Sequence, residues 1–255
     1  MGRARSPVHD SSGMRRASLA VVCVLALCCG PAGPLVTRIK ARPAVPTVAV
    51  EPGEHRLGLG APAARRDGIL YIPRNAVSHP APLLVLLHGG GGRASYFRFT
   101  FPLAEEAGVV ILTLDSRDNT WDAIDSPYGP DVRFIDAALQ HTFARVAIDP
   151  HRVALGGISD GASYALSLGI ANGDLFTHLV AVSPGFIAPP SPPVGRPLIF
   201  VAHGTRDNVY SVEGTRHHIV PRLKDSGYDV TYREFDGPHS MIPPTARQVI
   251  EWLVR

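Results

Sequence analysis

The sequence predicts an α/β fold: a doubly wound, mostly parallel sheet with helices on both faces. Three observations carry this. Strand-like and helix-like segments alternate from residue 68 to the C-terminus. Four strand-like segments are continuous apolar runs, the pattern of strands covered on both faces. The chain has 255 residues, 45% apolar and 18% charged, which suits one sizeable globular core. There is no internal repeat, no second folded domain, and no insertion long enough for a large cap.

Residues 1–33 read as an export leader: Arg15-Arg16 precede an apolar run at 19–27 and then small residues and prolines. That run is shorter than the ~20 residues a membrane span needs. The expectation is a cleaved signal, secreted or periplasmic, with an uncleaved or lipidated leader as the membrane-anchored alternative; Met1 and Met14 are both candidate starts. The leader also carries the formal charge of +3, because the remaining 222 residues balance 21 basic against 21 acidic groups. The basic balance is therefore no sign of a nucleic-acid partner. All three cysteines, Cys23, Cys28 and Cys29, lie there too, so the body has no thiolate for a metal, a disulfide or catalysis. Residues 34–66, rich in Pro, Ala and Arg, read as a linker with an edge strand at 47–50.

The domain proper is expected over 67–255. Residues 68–72 form a strand ended by Pro73, and 83–87 a strand buried on both faces. Residues 95–107 fit a helix stopped by Gly108. A buried strand at 109–114 leads into an irregular loop, 116–130. Asp131 is expected to cap a helix running to about Arg145. A strand at 152–155 enters the turn Gly157-Ile158-Ser159-Asp160-Gly161, which opens a helix at 162–170. Strands at 179–182 and 198–202, a helix at 212–226, a strand at 230–235 and a closing helix from Pro244 complete the chain.

The chemistry gathers in the loops after strand ends, where ligands bind in such sheets. Gly157 and Gly161 permit a sharp strand-to-helix bend that lifts the hydroxyl of Ser159 out of the sheet, as a nucleophile requires. His88-Gly89-Gly90-Gly91-Gly92 comes after another strand, Asp207 after the strand at 198–202, and His239 after the last strand. The order is nucleophile, acid, histidine. A serine hydroxyl needs a base to take its proton, and His239, oriented by Asp207, fits that part. The backbone N–H groups of Asp160 and Gly90 are candidate donors to a developing oxyanion. Asp236 is a rival acid, while His88 and His203 read as structural. His217-His218 mark a solvated helix face. Trp121, Tyr128, Phe186, Met241 and Ile242 sit in loops over the crevice as candidate substrate-binding walls, set against ordinary loop packing.

With those motifs in place, residues 82–253 resemble the carboxylesterase/phospholipase branch of the α/β-hydrolases and are similar to small acyl-thioesterase-type esterases. The resemblance rests on Leu87-His88-Gly89-Gly90, Gly157 to Gly161, His203-Gly204-Thr205-Arg206-Asp207, Gly237-Pro238-His239-Ser240 and the lead-in Asp149-Pro150-His151-Arg152-Val153. It departs at Asp160, where many relatives carry glutamine or methionine, which bears on substrate preference more than mechanism. It implies hydrolysis of small carboxylic esters, lipid-like esters included, through an acyl-enzyme, without cofactor or metal. Two alternatives stand beside it: a polymer-directed esterase (polyester- or feruloyl-type), and an inactive hydrolase-fold scaffold. Ester versus thioester preference, acyl length and oligomeric state are left open.

Overall fold

The computed structural model describes residues 1–2, 36–60, 66–77 and 79–255. The leader's cysteines and its expected export signal lie outside the described residues. Contacts divide the chain into two units, Met1–Ala32 and Gly33–Arg255.

The second unit contains β1 (Gly53–Arg56), β2 (Gly68–Ile72), β3 (Ala81–Leu87), α1 (Phe101–Ala107), β4 (Val110–Leu114), α2 (Pro130–Phe143), β5 (Ile148–Ile158), α3 (Asp160–Ala171), β6 (His178–Val182) and β7 (Leu198–Gly204). A helical stretch comes next: a single turn α4 (Val212–Gly214), a π-helical turn (Thr215–Ile219) and α5 (Val220–Asp225). Strand β8 (Val230–Phe235) and helix α6 (Pro243–Val254) close the chain. The eight strands form one sheet in the order β1-β2-β4-β3-β5-β6-β7-β8. Strands β1 and β2 run antiparallel to their neighbours, and the other six are mutually parallel.

The apolar runs face two cores. Leu83, Val85 and Leu87 point into one with Val132 and Ile135 of α2 and Leu168 of α3. Leu84 and Leu86 point into the other with Ala104 of α1 and Val249 and Leu253 of α6. An alternating strand would have left one of those faces polar, so the unbroken hydrophobicity of 83–87 reports burial on both sides. The parallel register aligns strand ends: Leu87 sits beside Gly157, Val182 beside Ala202, and Gly204 beside Phe235. The chain leaves β3 for β4 on one side and returns through α2 to β5 on the other. Strands β3 and β5 therefore flank the point where the order reverses, and their loops part to leave a crevice.

Four local expectations are corrected. The helix expected over 95–107 begins as a 3₁₀ helix, Ala94–Thr100, because Pro102 has no N–H to carry an α-helical ladder across the junction. Helix α2 starts two residues early with Pro130 in its first turn, and Gly129 rather than Asp131 is the cap. The edge strand lies at Gly53–Arg56 rather than 47–50, where the amides of Thr47 and Val48 both donate to the Ala144 carbonyl (2.8 and 2.9 Å). Finally, residues 36–42 pack on the domain instead of trailing from it. Ile39 is 1% exposed, its amide donates to Asn172 Oδ1 (2.9 Å), and Asn172 Nδ2 returns a bond to the Thr37 carbonyl (2.9 Å).

Candidate active site

The turn between β5 and α3 is held by close backbone approach. A Cβ at Gly157 would lie 2.4 Å from the Leu87 carbonyl oxygen, and one at Gly161 2.1 Å from the same atom. Neither position tolerates a side chain. Ser159 at the tip has φ 58° and ψ −121°, a region an L-residue adopts only under constraint. Its amide is committed to the Val182 carbonyl (3.0 Å), so its own N–H is not free for a substrate. The side chain stands against the glycine loop: a Cβ at Gly89 would be 3.1 Å from Ser159 Cβ and 3.7 Å from its Oγ.

Asp207 and His239 come together from the loops after β7 and β8. Asp207 Oδ2 receives His239 Nδ1 at 2.6 Å, and Oδ1 receives the amides of Val209 (2.9 Å) and Tyr210 (3.0 Å). A carboxylate accepts only, so Nδ1 of His239 carries a proton and Nε2 is the nitrogen left for a partner. Burial works to raise the Asp207 carboxyl, but the bond from His239 and the amides hold it below the usual carboxylate range. The rival Asp236 is exposed and paired with Arg206 (3.0 Å). Ser159 and His239 line one cavity of about 270 Å³, together with His88, Gly89, Gly90 and Tyr96.

Donors for an oxyanion are few in this cavity. Gly91 N–H is spent on the Asn119 carbonyl (2.8 Å) and Gly92 N–H on that of Gly89 (3.0 Å). Gly90, which lines the cavity, is the glycine-loop candidate. Asp160 occupies the first turn of α3, where backbone N–H groups have no intrahelical acceptor. Its carboxylate is fixed as well: Oδ2 accepts the Thr120 hydroxyl at 2.6 Å and would lie 2.8 Å from a Cβ on Gly90. A negative charge therefore sits against the same loop that would hold the oxyanion.

The two other motif histidines are buried. His88 Nε2 accepts the Ser116 amide (3.0 Å), so Nδ1 carries the proton and donates to the Gly89 carbonyl (2.6 Å). Burial lowers its pKa and keeps it neutral. His203 braces the acid. Its Nε2 is 3.0 Å from the Tyr210 carbonyl and 3.1 Å from Asp207 Oδ2, while its Nδ1 is 2.8 Å from Thr215 Oγ1. The sequence shows His203 only as part of a glycine turn; its contact with Asp207 needs the curl of residues 204–210.

The expected substrate walls need correction. Trp121 is fully buried, donating from Nε1 to the His88 carbonyl (2.8 Å) and stacking on Tyr164 (5.5 Å). Tyr128 also stacks on Tyr164 (5.4 Å) and donates to the Ala188 carbonyl (3.1 Å). Met241 is 2% exposed in the core beneath α6, and Ile242 is the half-buried cap of that helix. These side chains pack the loops; they do not wall the cavity beside Ser159. The aromatic residue that does is Tyr96, whose hydroxyl lies 3.0 Å from Ser240 Oγ and accepts the Met241 amide (3.3 Å). The signal for it is its place four residues after the glycine loop, at the start of a helix aimed at the crevice.

Comparison with known proteins fits this architecture. The sequence profile described as the alpha/beta hydrolase family matches residues 84–254, and the chain belongs to that family. The NocK protein of Nocardia uniformis subsp. tsuyamanensis, an esterase by name, is 28% identical over 227 residues, covering 78% of this chain and 66% of NocK. An acetylxylan esterase of Coprinopsis cinerea is 30% identical over 119 residues, 42% of this chain and 32% of that one. The chain thus spans just under two thirds of the first relative and about a third of the second. Among solved structures, esterase PE8 superposes with a TM-score of 0.59 at 19% identity, covering 74% of this chain and 97% of its own. FphF, a fluorophosphonate-binding serine hydrolase of Staphylococcus aureus, gives 0.61 at 13% identity, covering 81% and 100%. At those identities the structural likeness speaks for the fold.

Proposed function

We propose that this chain is a serine esterase that cleaves carboxylic esters through Ser159, His239 and Asp207. The observation that carries the reading is the 2.6 Å bond from His239 Nδ1 to a buried Asp207, at a cavity that also holds Ser159 in a strained turn. In the mechanism this supports, Ser159 Oγ attacks the ester carbonyl carbon as His239 Nε2 takes the hydroxyl proton. The carbonyl oxygen becomes an oxyanion held by the N–H groups of Asp160 and Gly90. Asp207 stabilises the imidazolium without taking its proton. Collapse breaks the bond to the alcohol, which leaves with the proton from His239. A water molecule, deprotonated by His239, then attacks the acyl-enzyme, releasing the acid and restoring Ser159.

The esterases among its relatives and neighbours point the same way. The likeness to an acetylxylan esterase favours a second reading in which the acyl group is borne by a polysaccharide. Export through the leader belongs to this proposal and is testable by N-terminal sequencing of the protein from culture fluid.

The first test is intact mass after a fluorophosphonate probe, on the full chain and on Ser159→Ala. One adduct on the wild type and none on the variant is the expected result. No adduct on folded wild type would reject the esterase reading in favour of an inactive scaffold. A panel of p-nitrophenyl esters beside acetylated xylan then separates small from polymeric substrates.

A further inference from the structure

We propose that a second cavity, at the opposite end of the sheet from Ser159, binds an apolar-tailed carboxylate. Its volume is about 240 Å³, and Ile170, Ile187, Pro189, Pro193 and Leu223 supply its apolar wall. Arg196 and Tyr228, which also line it, each stand two residues before the start of β7 and β8. Asp207 and His239 lie beyond the other ends of those two strands. A strand of six residues is roughly 20 Å long, so the two cavities are separate.

Three features give the cavity its chemistry. The first is Tyr228, which is 7% exposed and whose buried hydroxyl has no hydrogen-bond partner. A buried hydroxyl left unpaired works against folding, and a site that supplies an acceptor removes that penalty. The second is a pair of cations. The Arg196 guanidinium lies 5.3 Å from the centre of the Tyr228 ring, and Arg222 Nη1 donates to the Ile187 carbonyl at 3.2 Å. Among the described residues neither arginine has a carboxylate partner, unlike Arg38, Arg98 and Arg216, each of which is paired. The third is the apolar wall, which suits a short hydrocarbon tail and not a fully polar anion. Two guanidiniums and a phenol in the lining of an apolar hollow match a carboxylate on an alkyl chain. That acids are the class of product an ester hydrolase releases is a link to the proposed function; the site itself does not depend on it.

The test uses the full chain carrying Ser159→Ala, so that the catalytic cavity turns nothing over, with octanoate as probe and octanol as its neutral counterpart. Calorimetric titration is expected to show one octanoate bound. Affinity should fall about tenfold for Arg196→Gln or Arg222→Gln, the loss of one charge-assisted contact. Arg196→Lys should recover part of it. Tyr228→Phe should weaken binding several-fold while its unfolding temperature without octanoate is unchanged or higher. Absence of saturable binding, equal affinity for octanol, or indifference to both arginine changes would each overturn the proposal. None of these outcomes depends on whether Ser159 is a nucleophile.

Discussion

Asp207 serves several partners with two oxygens, and each contact has a measurable consequence. Asp207→Asn keeps the shape but can place an N–H against His239, favouring the wrong tautomer. Turnover of a good ester substrate should fall by about 10⁴ with little change in KM. His203, which touches the same oxygen, is a positioning residue: His203→Gln should lower kcat by about tenfold, leave KM in place and shift the acid limb of the pH profile. Because Asp207 is held below the usual carboxylate range, the stability it contributes is complete above that range. It is lost only as pH falls through the depressed value. Asp160 acts on the substrate side. Its carboxylate against Gly90 should disfavour acyl groups that carry a negative charge. Asp160→Asn is expected to raise kcat/KM for a succinyl monoester relative to an acetyl ester by about tenfold. An unchanged ratio would remove Asp160 from substrate choice.

The loop between β4 and α2 is tied by two carboxylates that exchange amides. Asp131 accepts the N–H of Arg117 and Asp122 (both 2.6 Å), and Asp122 accepts those of Gly129 and Asp131 (both 2.8 Å). Burial, with the Asp122 charge adding to it, raises the Asp131 carboxyl to about 6. A carboxyl raised on folding binds its proton more tightly in the folded state, so stability declines as pH rises from about 4 through 6. Asp131→Asn should flatten that decline, removing on the order of 2 kcal/mol from the change between those limits; chemical denaturation at several pH values measures it. This clamp explains what the sequence does and does not disclose. Runs such as 83–87 and 109–114 reveal buried strands because no other element needs continuous hydrophobicity. The elbow and both partner loops are legible because each comes directly after such a run. Trp121 and Tyr128 are not, since their place is set by Tyr164 on α3 and by the Asp122–Asp131 exchange, partners remote in sequence. Likewise Pro102 marks a break, yet only the Phe101 N–H to Arg98 carbonyl bond shows that a 3₁₀ turn fills it.

At the scale of the whole molecule, the segment before β1 is part of the fold. Ile39 enters the core, Lys40 and Ala41 amides share Asp136 Oδ1 (2.7 and 2.8 Å), and Arg38 and Arg42 both reach Asp174. Ile39→Ala should destabilise by about 2–4 kcal/mol, the range for truncating a buried aliphatic residue. Asn172→Ala should open residues 36–42 to limited proteolysis before the sheet is cut, since it frees a buried amide and a carbonyl together. If the segment were a passive linker, neither change would move the unfolding midpoint.

The π-helical turn at Thr215–Ile219 acts as a phase shifter. An α-helix rotates about 100° per residue, so one residue more in a turn re-aims everything downstream. Here the wide turn lets Thr215 stay beneath His203 while Val220 and Leu223 still face the core. Deleting one residue among 216–218 would restore a regular spiral and force a choice between those two alignments. The brace behind Asp207 and the seating of α5 are in that sense geared together, and the teeth are counted in single residues.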